Sequence, residues 1–120
     1  MSSDPSRLLP WLRAAFLLIT VSVLVLALWP SPASLPVQTG WDKADHVLAF
    51  AVLGIVGLWA WPQAKVRVSV GLLAYGGCIE VLQGMTGYRE ADWHDFVADA
   101  IGIGVALLAA RLLRRRAHRA

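Results

Sequence analysis

Four long apolar runs, separated by short polar or turn-forming stretches, organise this chain. The first covers residues 12–29 and is interrupted only by Arg13 near its start and the small Thr20 and Ser22. As a helix rising about 1.5 Å per residue it would be roughly 27 Å long, close to the hydrocarbon thickness of a bilayer. Pro30, Pro32 and Pro36 make the next stretch, up to Gly40, an extended connector. A second helix is expected to begin at Trp41-Asp42 with Asp42 as its N-cap, and its span over residues 46–61 ends where Trp59 and Trp61 meet Pro62. A turn holding Lys65 and Arg67 leads into a third span, 68–82, broken only by small residues and Glu80. Gly84 and Gly87 mark a break, after which Asp92 opens a fourth span, 96–113, apolar but for Asp99 and Arg111.

The pattern predicts an all-α membrane protein, a single domain over 1–120 with four transmembrane helices. The rival reading of the first run is a secretory signal peptide, since Arg7 and Arg13 precede it and the small Ala33 and Ser34 follow. Three further spans come after it, and a signal-anchor helix accounts for the same features. Glycines at 54, 57, 71, 76, 77, 102 and 104 are numerous for soluble helices and suit close helix approach in lipid.

Composition agrees: with 58% hydrophobic and 16% charged residues, the chain is too apolar for a soluble domain of 120 residues. A net charge of +3 would suit nucleic acid, but the basic residues flank apolar runs and no nucleic-acid motif accompanies them. No nucleic-acid partner is expected; the partner is membrane lipid. Cys78 is the only cysteine, which excludes an internal disulfide and any multi-cysteine zinc site, and it reads as a small packing residue.

Charge then sets the orientation. With four spans, Arg7, Arg13, Lys65, Arg67, Arg111, Arg114, Arg115, Arg116 and Arg119 share one side, and only Lys43 and Arg89 lie on the other. Nine against two is a strong positive-inside asymmetry, so both termini are expected to be cytoplasmic in a multi-pass protein of the bacterial cytoplasmic membrane. The acids show the opposite bias. Only Asp4 is on the cytoplasmic side, whereas Asp42, Asp45, Glu80, Glu90, Asp92, Asp95 and Asp99 lie on or near the outer one.

Acids within a hydrocarbon-spanning segment are costly and mark a candidate functional site. His46 lies one helical turn beyond Asp42; Asp92, Asp95, Asp99 and Gly102 follow one stripe of the fourth helix; Glu80 and Gln83 share a face of the third. The most economical packing turns His46, Glu80 and Asp99 toward one another beneath Asp42, Lys43, Arg89, Asp92, His94 and Asp95. His46 and Glu80 are the candidate acid–base pair. Lys43 and Arg89 would neutralise carboxylates or bind an anionic ligand, with Asp42, Gln83, Asp92, Asp95 and Asp99 completing the binding set. The plainer reading makes Asp42 and Asp92 helix caps, and Glu80 and Asp99 a polar network that fixes helix register. A metal site of His46, Glu80, Asp95 and Asp99 has acceptable ligand types, but no HExxH-type pair shares one turn, so no metal or other cofactor is expected.

These residues carry a family resemblance. Asp42-Lys43-x-x-His46-x-x-x-Phe50, Glu80-x-x-Gln83 and Arg89-x-x-Asp92-x-x-Asp95-x-x-x-Asp99-x-x-Gly102, in that order, resemble the VanZ-like family of small bacterial membrane proteins. The match runs from Trp41 to about Ala106. Asp99 stands where the family usually has Asn. The resemblance implies a protein of the cell envelope, linked in the founding member to low-level teicoplanin resistance, and it implies no reaction.

The leading expectation is an outward-facing site that binds, or also processes, an anionic envelope or lipid-linked ligand. A structural or scaffold subunit of an envelope complex is the first alternative. The second is a proton- or ion-coupled carrier, which with four short helices would need to form a homo-oligomer.

Overall fold

The computed structural model describes residues 4–30 and 39–120. Among them are a 3-10 turn at Pro5–Arg7 and four helices: α1 (Leu9–Ala27), α2 (Asp42–Ala60), α3 (Lys65–Met85) and α4 (Trp93–Arg119). Each α-helix, α1 together with its leading turn, is long and apolar enough to cross a membrane, which fits a multi-pass membrane protein. The connector from Pro30 to Gly40 and the small pair Ala33 and Ser34 lie largely or wholly outside the described residues.

The helices begin and end differently from the apolar spans. Lys65 and Arg67, expected in a turn, form the first turn of α3, and the arginines after Leu113 continue α4 to Arg119. Hydropathy marks the lipid-facing length of a helix, whereas its backbone hydrogen bonds run on through polar helix formers such as Lys and Arg. The cap of α2 is also displaced. Trp41, with extended backbone, is the N-cap, while Asp42 is the first helical residue. Its charge still lies at the positive end of the α2 dipole. Asp92 does cap α4, its carboxylate accepting the His94 backbone N–H at 2.9 Å.

Side-chain bonds at the two ends make the bundle antiparallel. At one end Arg13 Nε donates to the Ala60 carbonyl at 3.3 Å and Arg114 Nη2 to the Pro62 carbonyl at 3.5 Å. At the other, Gln83 Nε2 donates to the Ala27 carbonyl at 2.9 Å and Tyr88 Oη to that of Leu28 at 2.7 Å. The start of α1, the α2–α3 turn and the end of α4 therefore share an end.

The central contact is α2 against α4, and small residues permit it. A Cβ on Gly102 would lie 2.5 Å from the Val47 carbonyl oxygen and 2.9 Å from the Ala51 nitrogen, and one on Gly54 would lie 2.5 Å from the Ala106 Cβ. Such close approach is how helices associate where lipid removes the hydrophobic drive between them. Phe50, Leu53, Leu72, Ile79 and Ile103 form the buried core, with Phe16, Ile19, Val23 and Leu24 of α1 packed on it. Val70, Ile101, Val105 and Leu108 are exposed on the outside, as an apolar solvent requires. Cys78 is likewise exposed rather than packed.

Candidate functional site

Three of the four helices send polar side chains to one level of the bundle. On α2, Lys43 and His46 are three residues apart and share a face. On α4, Asp92, Asp95 and Asp99 at spacings of three and four turn the same way, toward α2. Lys43 Nζ bridges the two helices: it bonds Asp92 Oδ2 at 2.7 Å and also Asp95 Oδ1, with Asp42 Oδ2 at 3.6 Å. The Lys43 ammonium, followed by the His94 backbone and ring, pulls the Asp92 carboxyl well below the usual carboxylate range.

One turn deeper, His46 Nδ1 meets Asp99 Oδ1 at 2.7 Å. With Asp99 ionised, this bond places the imidazole proton on Nδ1 and leaves Nε2 as the outward atom. Nε2 lies 3.6 Å from Asp95 Oδ2 and 3.9 Å from Asp42 Oδ1. Asp99 is fully buried, and it fits because α3 has a glycine opposite it. A Cβ on Gly76 would stand 2.6 Å from Asp99 Oδ2.

From α3, the buried Glu80 accepts the Asp92 backbone N–H on Oε2 at 2.9 Å. Its carboxylate thus helps to hold the cap residue of α4. Three buried oxygens have no hydrogen-bond partner among the described residues: Glu80 Oε1, Asp99 Oδ2 and Gln83 Oε1. Unpaired buried polar atoms are expensive, and here two of the three lie in one cluster. One donor atom from each of His46, Glu80 and Asp99 falls within 4.8 Å of the other two, as is true also of Asp42, His46 and Asp95.

The structure brings Asp42, Lys43, His46, Glu80, Asp92, Asp95 and Asp99 together, and gives two further predicted residues partners on α1 instead. Gln83 and Arg89 both turn to α1. Arg89 donates to the Ala27 carbonyl through Nε at 3.1 Å and Nη2 at 2.9 Å, on the same oxygen that Gln83 uses. The pair therefore caps the C-terminal end of α1, where orphan carbonyls need donors. The expected pair of anion-gripping cations divides: Lys43 is enclosed by carboxylates, whereas Arg89 has no carboxylate partner among the described residues. His94 is exposed, stacked on Trp93 with ring centroids 3.9 Å apart and bonded to Asp92 at 2.8 Å.

Beside the cluster a cavity of about 380 Å³ lies between α1 and α2. Ile19 and Val23 form one wall, Leu48, Ala49 and Val52 the other, and Thr39, Asp42, Asp45, His46 and Arg89 its polar part. That volume is in the range of small-molecule sites. Of the candidate acid–base pair, His46 lines this cavity and Glu80 does not. Sequence reasoning missed the α1 wall, and it expected Gly76 as a close-approach glycine without naming Asp99 as what it accommodates. Its place beside the cluster was recoverable, since 76, 80 and 83 form an i, i+4, i+7 stripe on α3. The α1 wall carries no polar signal at all. No family model, curated protein or solved structure matches this chain.

Proposed function

We propose that the chain is a VanZ-like protein of the bacterial cytoplasmic membrane, with both termini cytoplasmic, that binds an anionic lipid-linked component of the cell envelope. The apolar chain of the ligand lies in the cleft between α1 and α2, and its charged head meets Arg89 beside His46. The motif set from Asp42 to Gly102 and the nine-to-two distribution of basic residues support the family and the orientation.

The observation that carries the ligand class is Arg89. It is a half-buried guanidinium on the wall of a mostly apolar cavity, held in place by the Ala27 carbonyl and without a carboxylate partner among the described residues. Arg89 is the cation among the residues that line the cavity, which also include Asp42 and Asp45, and a guanidinium suits phosphate or carboxylate geometry. His46, oriented by Asp99, is the imidazole on the cleft wall, beside the carboxylates of Asp42 and Asp45, and is suited to proton transfer if the ligand is also processed.

The test is native mass spectrometry of the full chain with a long-chain polyprenyl phosphate and, separately, the uncharged polyprenol. The phosphate should be retained in preference. Arg89→Ala should weaken it by about 10–100-fold, the equivalent of a charge-assisted hydrogen bond of about 1.5–3 kcal/mol. Gln83→Ala removes a donor from the same Ala27 carbonyl without changing charge, so it should spare binding. Equal retention of alcohol and phosphate, or equal effects of the two substitutions, would refute the reading. Equal effects would favour a structural network without a ligand, which the shared bond of Gln83 and Arg89 to Ala27 supports.

A further inference from the structure

The buried end of the polar cluster contains more carboxyl groups than its cations pair with. Lys43 is held by Asp92 and Asp95, and Arg89 by the Ala27 carbonyl. That leaves Glu80 and Asp99, 8% and 0% exposed, with His46 as their only basic neighbour in the cluster. Each of these two carboxylates has one oxygen, Glu80 Oε1 and Asp99 Oδ2, that is buried and accepts nothing from the described residues. Charges and acceptors in such a setting are stable only when paired or coordinated.

We infer that His46, Glu80 and Asp99 form a divalent-cation site joining α2, α3 and α4. Two carboxylates and a neutral imidazole carry a charge of about −2, which a divalent ion cancels. The donor atoms lie within 4.8 Å of one another. Donors bonded to one ion at about 2.0–2.2 Å stand roughly 3–3.5 Å apart, so the set would draw in by at most about 1–2 Å to close on an ion. One nitrogen and two oxygen donors suit zinc or manganese better than magnesium, which prefers oxygen and retains its waters. The Asp42, His46 and Asp95 set is the weaker candidate. Lys43 already occupies Asp95, and Asp42 is exposed. The ligands come from three helices, which is why no sequence pair on one turn announces them. His46 also lines the α1–α2 cleft, whereas Glu80 and Asp99 do not, so the site adjoins the cleft through that one residue.

The full chain in detergent, stripped with chelator, is titrated with Zn2+ and with Mn2+ by calorimetry, and bound metal is counted by elemental analysis. One equivalent should bind, and melting should shift upward with the ion. Glu80→Gln and Asp99→Asn should each weaken binding by at least the 10–100-fold or so that loss of an outer-shell partner costs, and Asp42→Asn should not. No saturable binding of either ion by the folded protein would overturn the inference, as would binding lost in Asp42→Asn and kept in Glu80→Gln. Since either buried substitution can unfold the bundle, X-ray absorption at the zinc edge of the unsubstituted protein supplies a second measurement. A shell of oxygen and nitrogen with a single imidazole is expected. Two or more imidazoles, which would implicate His94 and His118, or a sulfur from Cys78, would also overturn it.

Discussion

Replacing Gly76 by alanine would put a methyl carbon 2.6 Å from Asp99 Oδ2, 3.3 Å from its Cγ and 3.4 Å from its Cβ. These separations are inside the roughly 3.5–4.0 Å at which non-bonded carbon atoms attract. Asp99 has nowhere to retreat: it is fully buried, and its other oxygen is bonded to His46 at 2.7 Å. Overpacking of this kind costs about 1–3 kcal/mol. Breaking the His46–Asp99 bond to relieve it costs about 1.5–3 kcal/mol more. The better helix propensity of alanine returns at most about 1 kcal/mol. The net loss is about 1.5–6 kcal/mol. Reversible unfolding in mixed detergent and SDS micelles, followed by helical circular dichroism, measures it. Gly71→Ala and Gly104→Ala are the controls, because nothing lies within 4 Å of either added Cβ, and both should be neutral or stabilising. Gly102→Ala should be worse than Gly76→Ala, since its methyl would meet the α2 backbone at Val47 and Ala51, which cannot swing aside as a side chain can. If Gly76→Ala unfolds at the same detergent fraction as Gly71→Ala, the close apposition of α3 and Asp99 is wrong.

Two further outcomes are expected. The depressed Asp92 carboxyl stabilises the folded chain fully above the ordinary aspartate range near pH 3.9 and loses that contribution as pH falls through its lower folded value. Subtracting the acid unfolding profile of Asp92→Asn from that of the unsubstituted protein should thus leave a difference that shrinks only under acid. A flat difference would refute the Lys43–Asp92 pairing as its source. Topology has its own check: green fluorescent protein fused after Ala120 should fluoresce, and alkaline phosphatase fused there should be inactive. The opposite pattern would invert the proposed orientation.

Much of the site was legible because helical spacing alone puts Asp92, Asp95 and Asp99 on one stripe and Glu80 with Gln83 on another. The partners were less so. Asp42 was expected to cap α2, yet Trp41 takes that place, because an acid in either position benefits from the same helix dipole and composition does not distinguish them. Gln83 shares the Glu80 face by spacing, but a three-residue step on a helix is a rotation of about 60° from exact overlap, enough to turn one side chain to α4 and the other to α1. The cleft wall at Ile19 and Val23 was invisible, since an apolar residue facing a cavity and one facing lipid look alike in a sequence.

The sequence by itself determined the four spans and the gathering of acids at one end of the chain's alternating path. Hydropathy summed over about 20 residues is a local property, and no distant contact revises it. Only the tertiary structure decided which cation serves which acid. Lys43 goes to Asp92 and Asp95, Arg89 goes to a carbonyl of α1, and Glu80 and Asp99 are left facing His46. Those pairings depend on how far each helix is rotated about its axis and which helices touch. Both are set by close contacts between distant residues, Gly102 on the α2 backbone, Gly54 on Ala106 and Gly76 on Asp99.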